Sequence, residues 1–414
     1  MTTSTTAATA LRVQRIKPSP STAAAQRVRE LKAQGLAILD LTVGEPDFDT
    51  PEHVKAAAVE AIRRGDTKYT PVNGTPQLRA AIAQKLEQRH GLSYSADRIA
   101  VGGGAKQVIF LALMATLDTG DEVIVPAPYW VSYPDMVLAN DGTPVVVPCP
   151  EAEGFKLTPR RLESAITDRT RWVILNAPGN PTGAAYTADE LRALADVLLA
   201  HPHVQVLTDE IYDEIWYEPG RVPSLAAVEP RLNDRVFLTN GVSKSYAMTG
   251  WRIGYGAGSA SLVAAVNTLQ SQISSCPSSI SQAAAAAALT GDQDFVRDCV
   301  AVYRGRRDVT VKLVEDIPGL SCTPPSGGFY AFVNCTGVLG KRTPAGEVIG
   351  SDEDFARYLL ESQQVAVIHG AAYGSPGYFR ISFATSTDIL TEACERIGRA
   401  CADLSPADPS ADPS

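Results

Sequence analysis

The sequence predicts an α/β protein with a large domain on a mainly parallel seven-stranded sheet flanked by helices, plus a smaller α+β domain. Three observations lead there. Seven short apolar, β-branched runs recur at 99–101, 122–125, 144–147, 172–175, 204–208, 236–239 and 253–256. Most are separated by helix-like stretches, such as 106–117 and 187–200. From about Asp294 the pattern changes to long helices with a few strands. Continuous apolar runs are strands buried on both faces, and helical crossovers between them make the sheet mainly parallel.

Taken in order, the first 29 residues carry Arg and Lys, many Ser, Thr and Ala, and no Asp or Glu, a composition shared with transit peptides. The preferred reading is a frayed arm followed by a helix from about Ser21 to Gly35. At Asp49-Thr50-Pro51-Glu52 the chain offers a cap, an N1 proline and a first-turn acid, with Gly65 closing the helix. The late strands fall at 328–333, 365–368 and 378–383, and the N-terminal 45 or so residues complete their domain. The expected division is 1–48 for the arm and part of the small domain, 49–293 for the large domain, 294–404 for the rest of the small one, and 405–414 for a disordered tail. That tail repeats Ala-Asp-Pro-Ser, a low-complexity end unable to bury anything.

Composition narrows the function classes. The 414 residues are 45% hydrophobic and 20% charged, the profile of a soluble globular chain. A net charge of −9 argues against nucleic acid and anionic membranes as partners. No apolar run approaches the roughly 20 residues of a membrane helix. Seven scattered cysteines without a CxxC pair fit a reduced, cytoplasmic setting and indicate no zinc or thioredoxin-type site.

Several segments carry chemistry. Lys244 lies just past a buried strand among small residues, in Asn240-Gly241-Val242-Ser243-Lys244-Ser245-Tyr246 and onward to Arg252. A lysine desolvated at a strand's edge becomes a nucleophile when its pKa falls. Val101-Gly102-Gly103-Gly104-Ala105-Lys106 joins a strand to a helix, where backbone N–H groups can approach an anion. It is neither a Walker A loop nor G-x-G-x-x-G, so a dinucleotide enzyme is not indicated. Arg380, in Tyr378-Phe379-Arg380-Ile381-Ser382, sits in a late strand, where burial without an anionic partner is costly. Asn176-Ala177-Pro178-Gly179-Asn180-Pro181-Thr182-Gly183, Thr208-Asp209-Glu210-Ile211-Tyr212 and Tyr129-Trp130 each follow a strand.

Together, in their order along the chain, these segments resemble class I (fold type I) pyridoxal-phosphate-dependent aminotransferases over about Ile16 to Leu404. With Ile16-Lys17-Pro18-Ser19 near the start, Lys106-Gln107 after the glycines and Pro128-Tyr129-Trp130-Val131-Ser132-Tyr133-Pro134, the resemblance is closest to the bacterial aspartate and aspartate/prephenate branch. It implies that Lys244 bonds the cofactor and serves as general base. Asp209 then faces the pyridine nitrogen, a buried carboxylate that keeps the ring protonated. Asn180 and Tyr212 face the ring's phenolic oxygen, and Trp130 stacks on the ring. The N–H groups of Ala105 and Lys106, with Ser243 and Arg252, hold the phosphate. Arg380 and the Gly44 N–H bind the substrate α-carboxylate. Lys106, assisted by Lys17 and a hydroxyl near Ser21, recognises a distal carboxylate. Tyr69 reaches the phosphate site of the neighbour in a homodimer.

The implied reaction is ping-pong exchange of an amino group between an L-amino acid, aspartate first, and a 2-oxo acid, 2-oxoglutarate first. Prephenate, aromatic or specialised biosynthetic substrates are alternatives, as is a pyridoxal-phosphate C–S lyase. A cofactor-sensing regulator would need a DNA-binding region, and the 15 or so residues before Ile16 hold none. Three places depart from the pattern: Gly241 stands where the family often has a serine, Leu111 where the branch commonly has an asparagine, and the segment Ser274-Ser275-Cys276 is atypical.

Overall fold

The computed structural model describes residues 9–18 and 20–406, so the Ala-Asp-Pro-Ser repeat and Ser19 lie outside the described residues. The strands are β1 (Leu39–Asp40), β2 (Ile99–Gly102), β3 (Glu122–Ala127), β4 (Thr143–Pro148), β5 (Thr170–Asn176), β6 (Gln205–Asp209), β7 (Val236–Gly241), β8 (Gly254–Ala257), β9 (Ser321–Cys322), β10 (Tyr330–Asn334), β11 (Val365–Ala366), β12 (Ile368–His369) and β13 (Tyr378–Ser382). All seven expected middle runs form one sheet in the order β2-β8-β7-β6-β5-β3-β4. Strands β3 to β7 pair in parallel, and β8 alone runs antiparallel to both its neighbours. A second, antiparallel sheet has the order β12-β13-β10-β9, and β1 pairs in parallel with β11. The fold class expected from the sequence is the one observed.

The period of two decides which core each strand side chain enters. Val123, Val125, Trp172, Ile174, Leu207 and Phe237 pack on one face of the large sheet. Ile124, Val173, Leu175, Val206 and Leu238 pack on the other. Trp172, fully buried, satisfies its indole by donating to Thr116 Oγ1 at 2.8 Å. A third core gathers Val314 on the helix Asp294–Glu315, Phe329, Val333, Phe379 and Ile381 around the smaller sheet, and Ile397 on the helix Thr387–Ala402. Glu151 links the two sheets, accepting from Thr323, Asn334 and Tyr378 at 3.0–3.1 Å. Asp47 is gripped by both terminal nitrogens of Arg306 at 2.8 Å, which fixes the segment running into the cleft.

Local expectations fare unevenly. The arm expected to be frayed forms a short helix at Leu11–Arg15, held by an ion pair from Arg15 to Asp141, and the expected helix spans Pro20–Ala33, burying Val28 and Leu31 against Ile38 and Ala366. The helix after Asp49 starts at Glu52, with Pro51 at the N-cap and no side-chain cap. Thr50 is diverted because its hydroxyl donates to the Ala247 carbonyl and accepts from the Trp251 indole. Gly65 does close that helix at φ +76°, with Asp66 N–H reaching back to the Ala61 carbonyl. Ser405, placed in the tail by the sequence reading, exchanges both backbone hydrogen bonds with Arg342 at 3.0 Å. No helix among the described residues is long and apolar enough to cross a membrane.

One close approach sets the geometry of the cleft. A Cβ at Gly254 in β8 would lie 2.0 Å from the backbone nitrogen of Ala105, so only glycine lets the first turn of the helix Ala105–Met114 sit there. Gly254→Ala is expected to lower stability by at least ~1–3 kcal/mol through overpacking against backbone. Gly250→Ala, with nothing within 4 Å, should melt like the parent. Thermal unfolding of the pair checks this, and equal melting temperatures would refute the packing argument.

Candidate active site

Because β2, β3, β5, β6 and β7 point the same way, their C-terminal ends open on one edge of the sheet, where ligands bind in open α/β folds. The loops leaving that edge supply Ala105 and Lys106 after β2, Trp130 after β3, and Asn176 and Asn180 at and after β5. Asp209 and Tyr212 follow from β6, and Ser243 and Lys244 from β7. With Gly44, Arg252 and Arg380 they line one cleft of about 690 Å³. Thr22, Ala25 and Arg29, on the helix Pro20–Ala33, line the same cleft.

Asp209 is 5% exposed. Its carboxylate accepts from Tyr133 Oη at 2.7 Å and from the Ile211 N–H at 3.3 Å. Burial nevertheless pushes its pKa up to about 6, against the pull of those two donors and of Lys244. Lys244 Nζ donates to the Gly44 carbonyl at 2.5 Å. Burial lowers its pKa to about 8; Glu45 opposes this, while Arg252 and Arg380 push the same way. An amine so placed is substantially unprotonated at mildly alkaline pH.

Four further cations face the cleft without an ion pair among the described residues: Arg29, which donates to Gln26, and the three that follow. Arg380, 2% exposed, donates to Asn180 Oδ1 at 3.0 Å and to the Thr42 carbonyl at 2.6 Å, leaving Nε unbonded. Arg252 holds φ +57°, an uncommon conformation for a non-glycine residue. It donates to the Thr249 and Gly103 carbonyls at 2.8 and 3.1 Å, which sets its guanidinium beside the N-terminus of the helix Ala105–Met114. Lys106 Nζ lies 4.6 Å from the centre of the Trp130 ring and 3.2 Å from Ser132 Oγ. Burial and Arg252 lower its pKa. Free helix N–H groups, an unpaired guanidinium and the buried Ser243 hydroxyl form an anion cradle. No cluster of metal-ligating residues occurs among the described residues.

The chain matches the aminotransferase class I and II family over residues 37–397. It belongs to that family. It is 53% identical over 379 residues to the aspartate aminotransferase of Rhizobium meliloti (strain 1021), covering 92% of each chain. It is 52% identical to the probable aspartate/prephenate aminotransferase of Rhizobium leguminosarum bv. phaseoli, covering 94% of this chain and 97% of the relative. Among solved structures, the Rhizobium meliloti aspartate aminotransferase superimposes with a TM-score of 0.94 at 51% identity, covering 96% of this chain and all of that one. The aspartate aminotransferase from Thermus thermophilus with maleate gives 0.89 at 39% identity, covering 95% of this chain and all of that one.

Within this aminotransferase, the structure gathers eleven of the thirteen site residues singled out by sequence into the one cleft. Lys17 and Tyr69 are the two outside it. Lys17 lines an adjoining groove shared with Lys106 and Arg252, and its N–H donates to Asp135 at 3.2 Å. Tyr69 is 90% exposed. The Gly44 contact seen is through its carbonyl rather than its N–H. The side chain of Ser21 lies outside the described residues, while its neighbour Thr22 lines the cleft. Gly241 has a packing reason: a Cβ there would meet the Ile253 carbonyl at 3.0 Å and Gly254 Cα at 3.1 Å. Leu111 is fully buried in the core, and Ser274 and Cys276 border the adjoining groove.

Sequence reasoning passed over Tyr133, Tyr330, Asn176, Thr42 and Glu45. Asn176 Nδ2 donates to the Asp209 carbonyl and its Oδ1 accepts from Asn180 N–H, both at 2.8 Å, tying the two loops together. Glu45 accepts from Thr249 Oγ1 at 2.7 Å. Tyr133 was visible as a residue of the segment after β3, but nothing local aims it at Asp209.

The raised Asp209 pKa has a stability consequence for the chain by itself. Between about 3.8 and 6 the folded state binds more protons at this site than the unfolded one, so stability falls as pH rises through that window. Asp209→Asn should therefore be more stable than the parent at pH 7.5, by on the order of 2–3 kcal/mol. The gain should shrink toward zero near pH 4. Urea unfolding at the two pH values reads it; a pH-independent difference would count against a buried, strained carboxylate.

Proposed function

We propose that this aminotransferase uses pyridoxal 5′-phosphate to move an amino group between L-aspartate and 2-oxoglutarate. The observation that carries the reading is Arg380, a buried guanidinium with an unbonded Nε and no carboxylate partner among the described residues, in the same cleft as Lys244. A buried cation of this kind calls for an anion from outside the chain. The names of the Rhizobium relatives point to aspartate, and the Thermus thermophilus structure with maleate shows a dicarboxylate companion in a similar protein.

The donor set fits the cofactor. The N–H groups of Ala105 and Lys106, the Ser243 hydroxyl and Arg252 suit its phosphate, and the carboxylate of Asp209 suits a protonated ring nitrogen. Tyr212 and Asn180 suit the ring oxygen; Asn180 Oδ1 is already committed to Arg380, so its amide N–H₂ is what remains to donate. Trp130 covers the ring. When bound, the cofactor supplies an aldehyde carbon that takes the amino group and a ring that accepts the electron pair left when the α-proton departs.

The chain's own work is then positional and acid–base. Arg380 forks onto the α-carboxylate and orients the Cα–H bond. Lys244, as free amine, takes that proton and returns it, with a pKa near 8 matched to the task. Asp209 stays ionised opposite a cationic partner, which would draw its pKa back down. Lys106, unpaired at the cleft wall, reaches the second carboxylate of a four- or five-carbon substrate, with Lys17 and Thr22 at its margin. Prephenate is the second substrate to test, because the relatives' names include it and Trp130, Ile109 and Ile211 give the cleft apolar walls.

We further propose a division near residues 48 and 294 into a large domain and a small one completed by the N-terminal segment. We also propose a homodimer in which the exposed Tyr69 serves the neighbour's phosphate site. Seven free cysteines, six of them buried, support a cytoplasmic location.

Lys244→Ala should lose transamination by at least about 10³-fold, within the range of general-base and nucleophile losses. Lys106→Met should lower kcat/KM for aspartate by about 10–100-fold, the range of a lost charged contact, and that for alanine or phenylalanine by far less. A panel of amino donors against 2-oxoglutarate and oxaloacetate, followed through the cofactor's absorbance, tests both. Pyruvate and ammonia from a β-thio amino acid, without need of a 2-oxo acid, would turn the reading toward a C–S lyase. Equal losses for acidic and neutral donors in Lys106→Met would remove the specificity argument.

A further inference from the structure

We propose that Tyr330 is a positioning residue with two separable duties: its hydroxyl sets the proton that Tyr212 presents to the cleft, and its ring carries the charge of Arg380. The inference rests on the functional reading above and adds to it a residue that no local motif marks.

Tyr330 opens β10 at 1% exposure, and the β10–β13 register sets Tyr330 opposite Ser382 and Phe332 opposite Arg380. Its Oη lies 3.1 Å from Tyr212 Oη. The two rings meet edge to face at 5.8 Å, and Phe329 packs 5.5 Å from Tyr212 and 4.7 Å from Tyr330. On its face, the Arg380 guanidinium carbon lies 4.2 Å from the ring centre. The same hydroxyl stands 3.3 Å from the position a Cβ would take on Gly44, so it also borders the segment that receives Lys244.

The hydroxyl argument is one of proton counting. A phenol has one proton to donate. If Tyr212 spends its proton on an oxygen in the cleft, the short contact to Tyr330 must run the other way, with Tyr330 donating to Tyr212 Oη. Accepting that bond polarises the Tyr212 O–H and strengthens its own donation. Removing the Tyr330 hydroxyl leaves Tyr212 in place and makes it a poorer donor.

The ring argument is one of charge. Arg380 has dipoles at Asn180 and Thr42 but no counter-ion among the described residues. The negative face of Tyr330, with Tyr373 5.4 Å away, is what the structure sets against the guanidinium. The face also blocks movement of the fork, so the donors stay aimed for a carboxylate.

The two duties separate by substitution in the loaded enzyme. Tyr330→Phe keeps the ring and removes the hydroxyl. The pH at which the bound cofactor's visible absorbance titrates should rise by about 0.3–1 unit, the range of one net hydrogen bond. The dissociation constant for maleate should stay within about twofold, because the ring that faces Arg380 is retained. Tyr330→Leu removes both features. Maleate should then bind about 3–30-fold more weakly, the range of a lost cation–π contact, with KM for aspartate rising in step. Tyr330→Met is read in its place if the leucine variant does not fold. An unmoved titration in Tyr330→Phe overturns the hydroxyl duty, and unchanged maleate affinity in the leucine or methionine variant overturns the ring duty. A parent enzyme with no cofactor absorbance and no maleate binding would instead overturn the underlying functional reading, and this inference with it.

Discussion

Everything chemical in this molecule depends on strand direction. Six strands of the large sheet point the same way, so the loops after β2, β3, β5, β6 and β7 converge on one edge although their residues span positions 102 to 244. The antiparallel β8 completes the arrangement, because its start, not its end, lies at that edge. Arg252 enters there, and Gly254 lets β8 press against the N-terminus of the helix Ala105–Met114. One reversed strand thus brings a guanidinium and a helix N-terminus to the same spot, which parallel strands alone would keep apart.

The second sheet contributes by register rather than by loops. Arg380 sits within β13, opposite Phe332 of β10, and its guanidinium lies over Tyr330 at the start of that strand. A strand interior is a rigid mount, and it holds an arginine that burial would otherwise penalise by several kcal/mol. The Gly44 segment, pinned through Asp47 to Arg306 and through Glu45 to Thr249, bridges the small sheet and the β7 loop. Arg380, Lys244 and Asp209 are therefore fixed relative to one another by two sheets and one clamped segment.

Much of this could be read from the residues, and the exceptions have physical causes. The large sheet was legible because each strand is a continuous apolar run bounded by turns. Lys244, Arg252, Asp209, Asn180 and Arg380 were legible because the segments that hold them, each just past or within a strand, resemble in chain order those of class I aminotransferases; taken singly, each fits a turn, a cap or a surface residue. Tyr133 and Tyr330 were not, because their roles come from partners 76 and 118 positions away, at Asp209 and Tyr212. Single aromatic residues in apolar segments look like core, and these two are core on every side but one. The Thr50 cap failed for a similar reason: local preference for a capping hydroxyl lost to tertiary partners at Ala247 and Trp251. Tyr69 stands apart, since a side chain 90% exposed on its own chain shows nothing of what would cover it.

The charge of the whole chain misleads about its pocket. A protein with net charge −9 lines one cleft with Arg29, Lys106, Lys244, Arg252 and Arg380 against only Asp209, Glu45 and Asp40. The five cations have no ion pair among the described residues, while Lys and Arg elsewhere are widely paired. Burial moves Asp209 and Lys244 toward neutrality from opposite sides, to about 6 and about 8. At pH 7 the folded chain therefore holds both charges at a cost, and a ligand that brings anions to the arginines and a cation to Asp209 removes it. Such a ligand stabilises the fold through differential binding. Because the cost of holding Asp209 ionised builds up between about 3.8 and 6 and is complete above that, the ligand's stabilising effect through that carboxylate must grow across the same window and level off above it. The stability spent on holding these charges in the fold is returned when such a ligand binds, and it contributes to the free energy of binding.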